Sequence, residues 1–386
     1  MLPLLAQGHL IPFLALARQI QQTTPSFKIT IATTPLNIQL LKHHHIHNHI
    51  HFAELPLNPN AENTEKPPLD GILKLCQASL ISKIKEQEGY PPLSYISVWS
   101  NLPHINSDSD KFSVQPFPQD YKFSSCHMPR YLREANGSND WSRFLVSQLS
   151  LSMKSDGWIC NTVEEVETLG LDLLRKYIHL PIWSLGPLRP LPLKGKETSM
   201  ASDEECIEWL NLKDQRSVLC ICFGSQNTIS TCQMMALAEG LEKSETSFIW
   251  VVRPPLGFDI NGEFNAHEWL PKGFEERIKN AQKGLLVHQW GPQMKILSHK
   301  SIAAFVSHCG WNSVLESLSC GVPIIGWPLA AEQAYNAKML DEELGVGVIL
   351  TATVESVVSN EEVKNVTEMV MDQESVMGKE MKGKKN

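Results

Sequence analysis

The chain has 386 residues, of which 42% are hydrophobic and 20% charged, and a formal net charge of −8. It exceeds one ordinary core, so two globular domains are expected, and the negative balance argues against a nucleic-acid or anionic-membrane partner. No apolar run approaches the roughly 20 residues that span a bilayer. The nine cysteines are scattered without CxxC pairs and the first residues lack a basic leader, so a cytoplasmic protein is expected.

In chain order, residues 2–6 read as a strand, GHLIP (8–12) as the loop after it, and 12–20 as an apolar-periodic helix. FKITIAT (27–33) and HIHFAEL (49–55) read as further strands, and 69–88 as a helix. The run HHHIHNHIH (43–51) holds six histidines in nine positions and reads as a low-complexity loop rather than a metal site. After an irregular stretch come a helix around 141–153, a strand in GWICNT (157–162), an acidic-started helix and a strand in IWSLGP (182–187). The Pro-rich, polar run 188–205 reads as a linker. Beyond it the pattern alternates, with strands expected at 218–223, 248–253, 285–289, 302–306, 324–327 and 346–350. Six strands separated by helical patterns predict a doubly wound parallel sheet. Ser359 and Glu362 have capping-box spacing for the last helix. Cys220 and Cys222 share one face of a strand and read as packing residues.

Residues 290–333 carry the chemistry. A buried strand (302–307) turns through His308-Cys309-Gly310-Trp311 into a helix that ends at Gly321. Such a turn aims backbone N–H groups and the positive end of the helix dipole at one point, which suits a phosphate. His308, Asn312 and Ser313 add side-chain donors. Glu316 lies one turn on from Asn312, where a carboxylate accepts from both hydroxyls of a ribose. Trp290 offers a flat face to a base. These residues describe a nucleotide-diphosphate site.

The stretch resembles the signature box of plant secondary-product UDP-glycosyltransferases at Trp290, Pro292, Gln293, His299, HCGWNS (308–313, including Gly310 and Trp311), Glu316, Gly321-Val322-Pro323, Pro328, Glu332 and Gln333. GHLIP, SDGWICNTVEEVE (155–167) and FGSQNT (223–228) extend the likeness over most of the chain. The resemblance implies a GT-B fold, α/β, with two Rossmann-like domains facing a cleft. The acceptor domain is expected at 1–187 (incomplete after about 93), the linker at 188–205 and the UDP-sugar domain at 206–386.

It further implies inverting transfer of glucose from UDP-glucose to a hydroxyl of a small apolar acceptor such as a phenolic. UDP-glucose is then a substrate, with no cofactor and no metal; oligomeric state leaves no sequence signal. His9 becomes the candidate base, since imidazole titrates near working pH, although a lone histidine beside glycine also has a structural reading. Ser225 becomes a diphosphate contact or a plain strand-end turn. Gln293 falls in the donor-site box. Glu332 and Gln333 become readers of sugar hydroxyls, with an exposed helix start as the alternative.

The same likeness exposes gaps. PPL (91–93) runs directly into SYISVWSNLPH (94–104), where the family has some tens of further residues, including the strand whose aspartate orients the catalytic histidine. A few residues before the first strand and a terminal helix also have no counterpart. None of Asp70, Asp108, Asp110 and Asp120 is assigned to the missing role. A UDP-sugar-binding remnant without transfer is therefore the second expectation. A nicotinamide dehydrogenase lacks its GxGxxG turn, and His308-Cys309 on one turn is no thiol-protease pair.

Overall fold

The computed structural model describes residues 7–42, 50–54, 111–113, 117–124, 153–188, 200–288, 290–351 and 356–372. The expected first strand, the helix at 69–88, all but Met153 of the helix around 141–153, and the junction at 93–94 lie outside them. Two compact units divide the chain: 1–104, 113–121 and 134–198 form one; 105–112, 122–133 and 199–386 form the other. The boundary thus falls at 198/199. Residues 200–205, read as linker, instead open a helix, because ASDEE is polar but made largely of good helix formers.

In the first unit, α1 (Gln7–Thr23) precedes β1 (Ile29–Thr33), α2 (Pro35–Lys42) and β2 (Ile50–Glu54). β1 and β2 pair in parallel, Ile29 opposite Ile50 and Thr33 opposite Glu54. Leu10, Leu14 and Ala17 recur at helical spacing and pack on Ile31 and Ile50. The expectation of a loop through GHLIP is corrected here. α1 begins at Gln7, so His9 sits in its first turn and Pro12 lies inside the helix. Pro12 is the sixth residue of the helix, where its missing N–H forgoes the ladder bond to residue 8.

A second parallel pair joins β5 (Trp158–Cys160) to β6 (Ile182–Ser184), with α3 (Thr168–Ile178) between them in sequence. Glu164, Glu165 and Glu167 precede α3 rather than start it. Glu164 accepts two hydrogen bonds from Arg175 and one from Ser184 (2.6 Å), which holds its carboxyl down to about 2. The fork ties the turn after β5 to α3 and to the end of β6.

The second unit includes a short antiparallel pair, β3 (Lys111–Phe112) with β4 (Phe123–Ser124), within the stretch read as irregular. Its body is α4 (Met200–Asn211), β7 (Val218–Cys222), α5 (Thr231–Lys243), β8 (Ser247–Val252), α6 (Ala266–Trp269), α7 (Phe274–Asn280), β9 (Gly284–His288), α8 (Gln293–Leu297), β10 (Ile302–Ser307), α9 (Trp311–Ser319), β11 (Ile324–Gly326), α10 (Gln333–Lys338), β12 (Gly347–Ile349) and α11 (Asn360–Met371). All six strands of its sheet are parallel, in the order β9-β8-β7-β10-β11-β12. Leu219, Ile221, Phe248, Trp250 and Val306 bury one face under Leu237 and Leu241 of α5 and Val363 of α11. Cys220 and Cys222 are buried, and their thiols are raised by desolvation. Both helices start on capping boxes, Ser230 with Gln233 and Ser359 with Glu362.

Candidate functional site

The strand order reverses between β7 and β10, and ligands of open α/β sheets bind beyond the carboxyl ends of the strands at such a point. Ser307 lies opposite Cys222, so the loops after β7 and β10 leave the sheet side by side. A Cβ on Gly224 would stand 2.6 Å from the His308 ring, and one on Gly310 would stand 2.4 Å from its Nε2. Gly224 also holds φ +77. Glycine is therefore demanded on both sides of the imidazole.

The turn is held in an uncommon shape. Cys309 takes φ +60, a left-handed conformation that costs a non-glycine residue about 1–3 kcal/mol. Asn336 of α10 donates to the Cys309 carbonyl (2.9 Å), and the Cys309 amide donates to Ser307 Oγ (3.1 Å). These bonds fix Gly310 at the N-cap of α9, where no side chain caps the helix. The first backbone bond of the helix runs from Val314 N to Gly310 O (3.1 Å). Amides 311–313 therefore precede the ladder, in the first turn of the helix. Burial pushes the Cys309 thiol up to about 12, which makes it a packing residue.

His308 is 8% exposed, and its Nδ1 is buried without a partner. Desolvation lowers it to about 4, so a neutral ring lies beside the helix start. The unfolded histidine takes its proton near its ordinary 6.5. Between those values the unfolded state binds more protons, and stability rises with pH. The contribution is complete above 6.5 and lost as pH falls towards 4, about 3 kcal/mol in all. Denaturant titrations across that window should show wild type losing this much more stability than His308→Gln. Parallel losses would contradict a buried neutral ring.

Farther along α9, Gln293 Nε2 donates to Glu316 Oε2 (2.7 Å) and to Ser313 Oγ (3.2 Å). One amide from α8 thus aims two residues of α9. Burial raises the Glu316 carboxyl, opposed in part by the Gln293 bond. Trp290, past the end of β9, is 55% exposed, and the Arg253 guanidinium lies 5.0 Å from its ring centroid. Ser225 is half-buried in the loop after β7, and its carbonyl accepts from Arg253 Nη1. Trp311 and Asn312 are half-buried on the first turn of α9.

Glu332 and Gln333 stand in different surroundings. Glu332 is exposed at the N-cap of α10. Gln333 is buried, and its Oε1 already accepts from the amides of Leu329 (2.9 Å) and Ala330 (2.8 Å). Both lone pairs are used within its own loop, so only its NH₂ is left to meet a ligand. His299 is structural too: Nδ1 lies 2.8 Å from Ser301 Oγ and Nε2 lies 3.2 Å from Asn211 Oδ1. The structure thus gathers Ser225, Trp290, Gln293, His308, Gly310, Trp311, Asn312, Ser313 and Glu316 at one end of one sheet. His9 belongs to the other unit, in α1, and its side chain lies outside the described residues. Sequence reasoning missed Arg253 and Asn336. A cation closing the apolar run FIWVV was the available signal for the first; nothing in the spacing marked the second.

The strand order and the loops at its switch point define a nucleotide-binding, doubly wound α/β unit. The family model for UDP-glucoronosyl and UDP-glucosyl transferases matches residues 195–382. UDP-glycosyltransferase 92A1 of Arabidopsis thaliana is 34% identical, covering 100% of this chain and 90% of its own length. Crocetin glucosyltransferase 3 of Crocus sativus is 38% identical over 88% of this chain and 84% of that protein. The solved structure of TcCGT1 in complex with UDP superposes with a TM-score of 0.78 at 27% identity, covering 100% of this chain and 92% of that one. The chain belongs to the UDP-glycosyltransferases, enzymes of GT-B fold that use a UDP-sugar as substrate. Among the described residues no helix is long and apolar enough to cross a membrane.

Proposed function

We propose that this protein transfers glucose from UDP-glucose to a hydroxyl of a small apolar acceptor such as a phenolic, with inversion at the anomeric carbon. The observation that carries the reading is the meeting of Gly224, His308 and the α9 start at the switch point, with Glu316 held one turn on by Gln293. In this reading the amides at 311–313, with Asn312, Ser313 and neutral His308, take the diphosphate, so departing UDP is stabilised by fixed dipoles rather than a cation. Glu316 takes the ribose hydroxyls, uracil stacks on Trp290, and Ser225 touches the diphosphate. Gln333 reads a sugar hydroxyl as donor only, and Glu332 as acceptor. His9 is the base that removes the acceptor proton.

Two facts support parts of this reading. A relative is named for glucosylating crocetin. The seven described cysteines are free thiols, in keeping with a cytoplasmic enzyme. Trp290→Ala is expected to cost roughly 1–3 kcal/mol of UDP binding, the scale of base stacking on an aromatic platform, and to leave pyrophosphate binding unchanged. Equal losses for the two ligands would remove Trp290 from the base.

A second reading has its own observation. The alignment with the Arabidopsis relative spans 440 positions against 386 residues here, so at least 54 (440 minus 386) have no counterpart in this chain. If they include the aspartate strand, the protein binds UDP-sugar without transferring it. Incubation of the full chain with UDP-glucose and a panel of phenolics, beside calorimetric UDP binding, separates the readings. Glucoside formation that is lost in His9→Ala supports the transferase; UDP binding with no product selects the remnant; neither one sinks both.

A further inference from the structure

Arg253 takes no part in the chemistry above, yet it is the kind of group a fold does not bury without reason. It is 8% exposed, makes no ion pair among the described residues, and leaves its Nε buried and unpartnered. Desolvation lowers its pKa, as expected for a cation without a carboxylate beside it. Two contacts account for its position. Nη1 donates to the Ser225 carbonyl, and the guanidinium lies over the Trp290 ring at 5.0 Å. The sheet explains why one side chain reaches both. Val252 pairs with His288 and Ile221 with Trp250, so Arg253 leaves β8 between the loop that carries Ser225 and the segment that carries Trp290.

We propose that Arg253 is a positioning residue for the donor nucleotide: it closes one face of the Trp290 indole and leaves the other for the base. The physical gain is orientational. Trp290 is 55% exposed and follows the strand end, where an indole with nothing behind it samples several rotamers. A guanidinium on one face fixes the ring through the quadrupole and lowers the ordering cost when a planar base meets the other face. The proposal rests on the reading of this crevice as the UDP site.

The test is a calorimetric cycle on the full chain, with UDP and pyrophosphate as ligands and wild type, Arg253→Met, Trp290→Ala and the double variant as proteins. Arg253→Met is expected to raise the Kd for UDP by about tenfold, the scale of a desolvated cation–π contact, while the Kd for pyrophosphate stays unchanged. The double variant should bind UDP no worse than Trp290→Ala alone, because the arginine acts through the tryptophan. Arg253→Lys keeps a charge over the ring and should recover part of the loss; if the methionine variant does not fold, the lysine variant carries the test through a smaller loss confined to UDP. Equal losses for UDP and pyrophosphate, additivity with Trp290→Ala, or UDP binding unchanged in either arginine variant would each overturn the proposal. Wild type that binds no UDP would instead sink the reading of the crevice and the proposal with it.

Discussion

Replacing Glu316 with alanine is expected to weaken UDP binding by about 1.5–3 kcal/mol, the scale of hydrogen bonds to a charged group. That is roughly a tenfold to hundredfold rise in Kd. The carboxylate is held by Gln293 Nε2 at 2.7 Å, so it is fixed before ligand arrives and its loss is not repaired by a neighbour. Its pH dependence gives a second handle. Burial raises the Glu316 carboxyl, and ribose hydroxyls donate to the charged form. UDP affinity should therefore fall as pH drops through that raised pKa, and Glu316→Ala should lack this acid limb. Titration by calorimetry at several pH values measures both effects. An unchanged affinity, or the same acid limb in the variant, removes Glu316 from the ribose.

His9→Ala is expected to lower glucoside formation by about 10²–10⁴-fold, the usual worth of a positioned general base, without changing UDP affinity. His9 lies on α1 of the first unit, while every proposed nucleotide contact lies in the second, so base and donor site are separable by mutation. The size of the loss also reports on whether an aspartate orients His9. In the serine-protease triad the analogous Asp→Asn change costs about 10⁴ in rate through the wrong histidine tautomer. A wild type already slow, with only a small further loss in His9→Ala, would mean that the histidine lacks its orienting partner. Steady-state rates with saturating UDP-glucose measure this. A large drop in UDP affinity instead would mean that His9 acts on the donor and not on the acceptor proton.

The parts of this molecule governed by local pattern were legible in its sequence. The six strands at 218–350 emerged from alternation of apolar runs and helical spacing, and each was found within one or two residues of its expected bounds. The turn from β10 into α9 was readable because Gly310 and the polar first turn of the helix are neighbours in the chain. The capping box of Ser359 and Glu362 was readable for the same reason.

What was not legible depends on residues distant in sequence. Arg253 meets the Ser225 carbonyl 28 residues away, and Asn336 holds the Cys309 carbonyl across 27. Neither pairing has a period. The fold of 329–330 around the Gln333 amide oxygen could not be read from composition either. Helix bounds failed where local rules were overridden: Pro12 argued for a start at that residue, yet α1 runs from Gln7 with the proline in its second turn. The start of α4 at Met200 was masked by a polar, Pro-rich run just before it.

The most direct measurement is a calorimetric titration of the full chain with UDP in the presence of EDTA. If the start of α9 holds the diphosphate, UDP binds saturably at one site without added cation, and pyrophosphate competes for it. Absence of binding under these conditions, or binding that appears only when a divalent metal is supplied, would contradict the account.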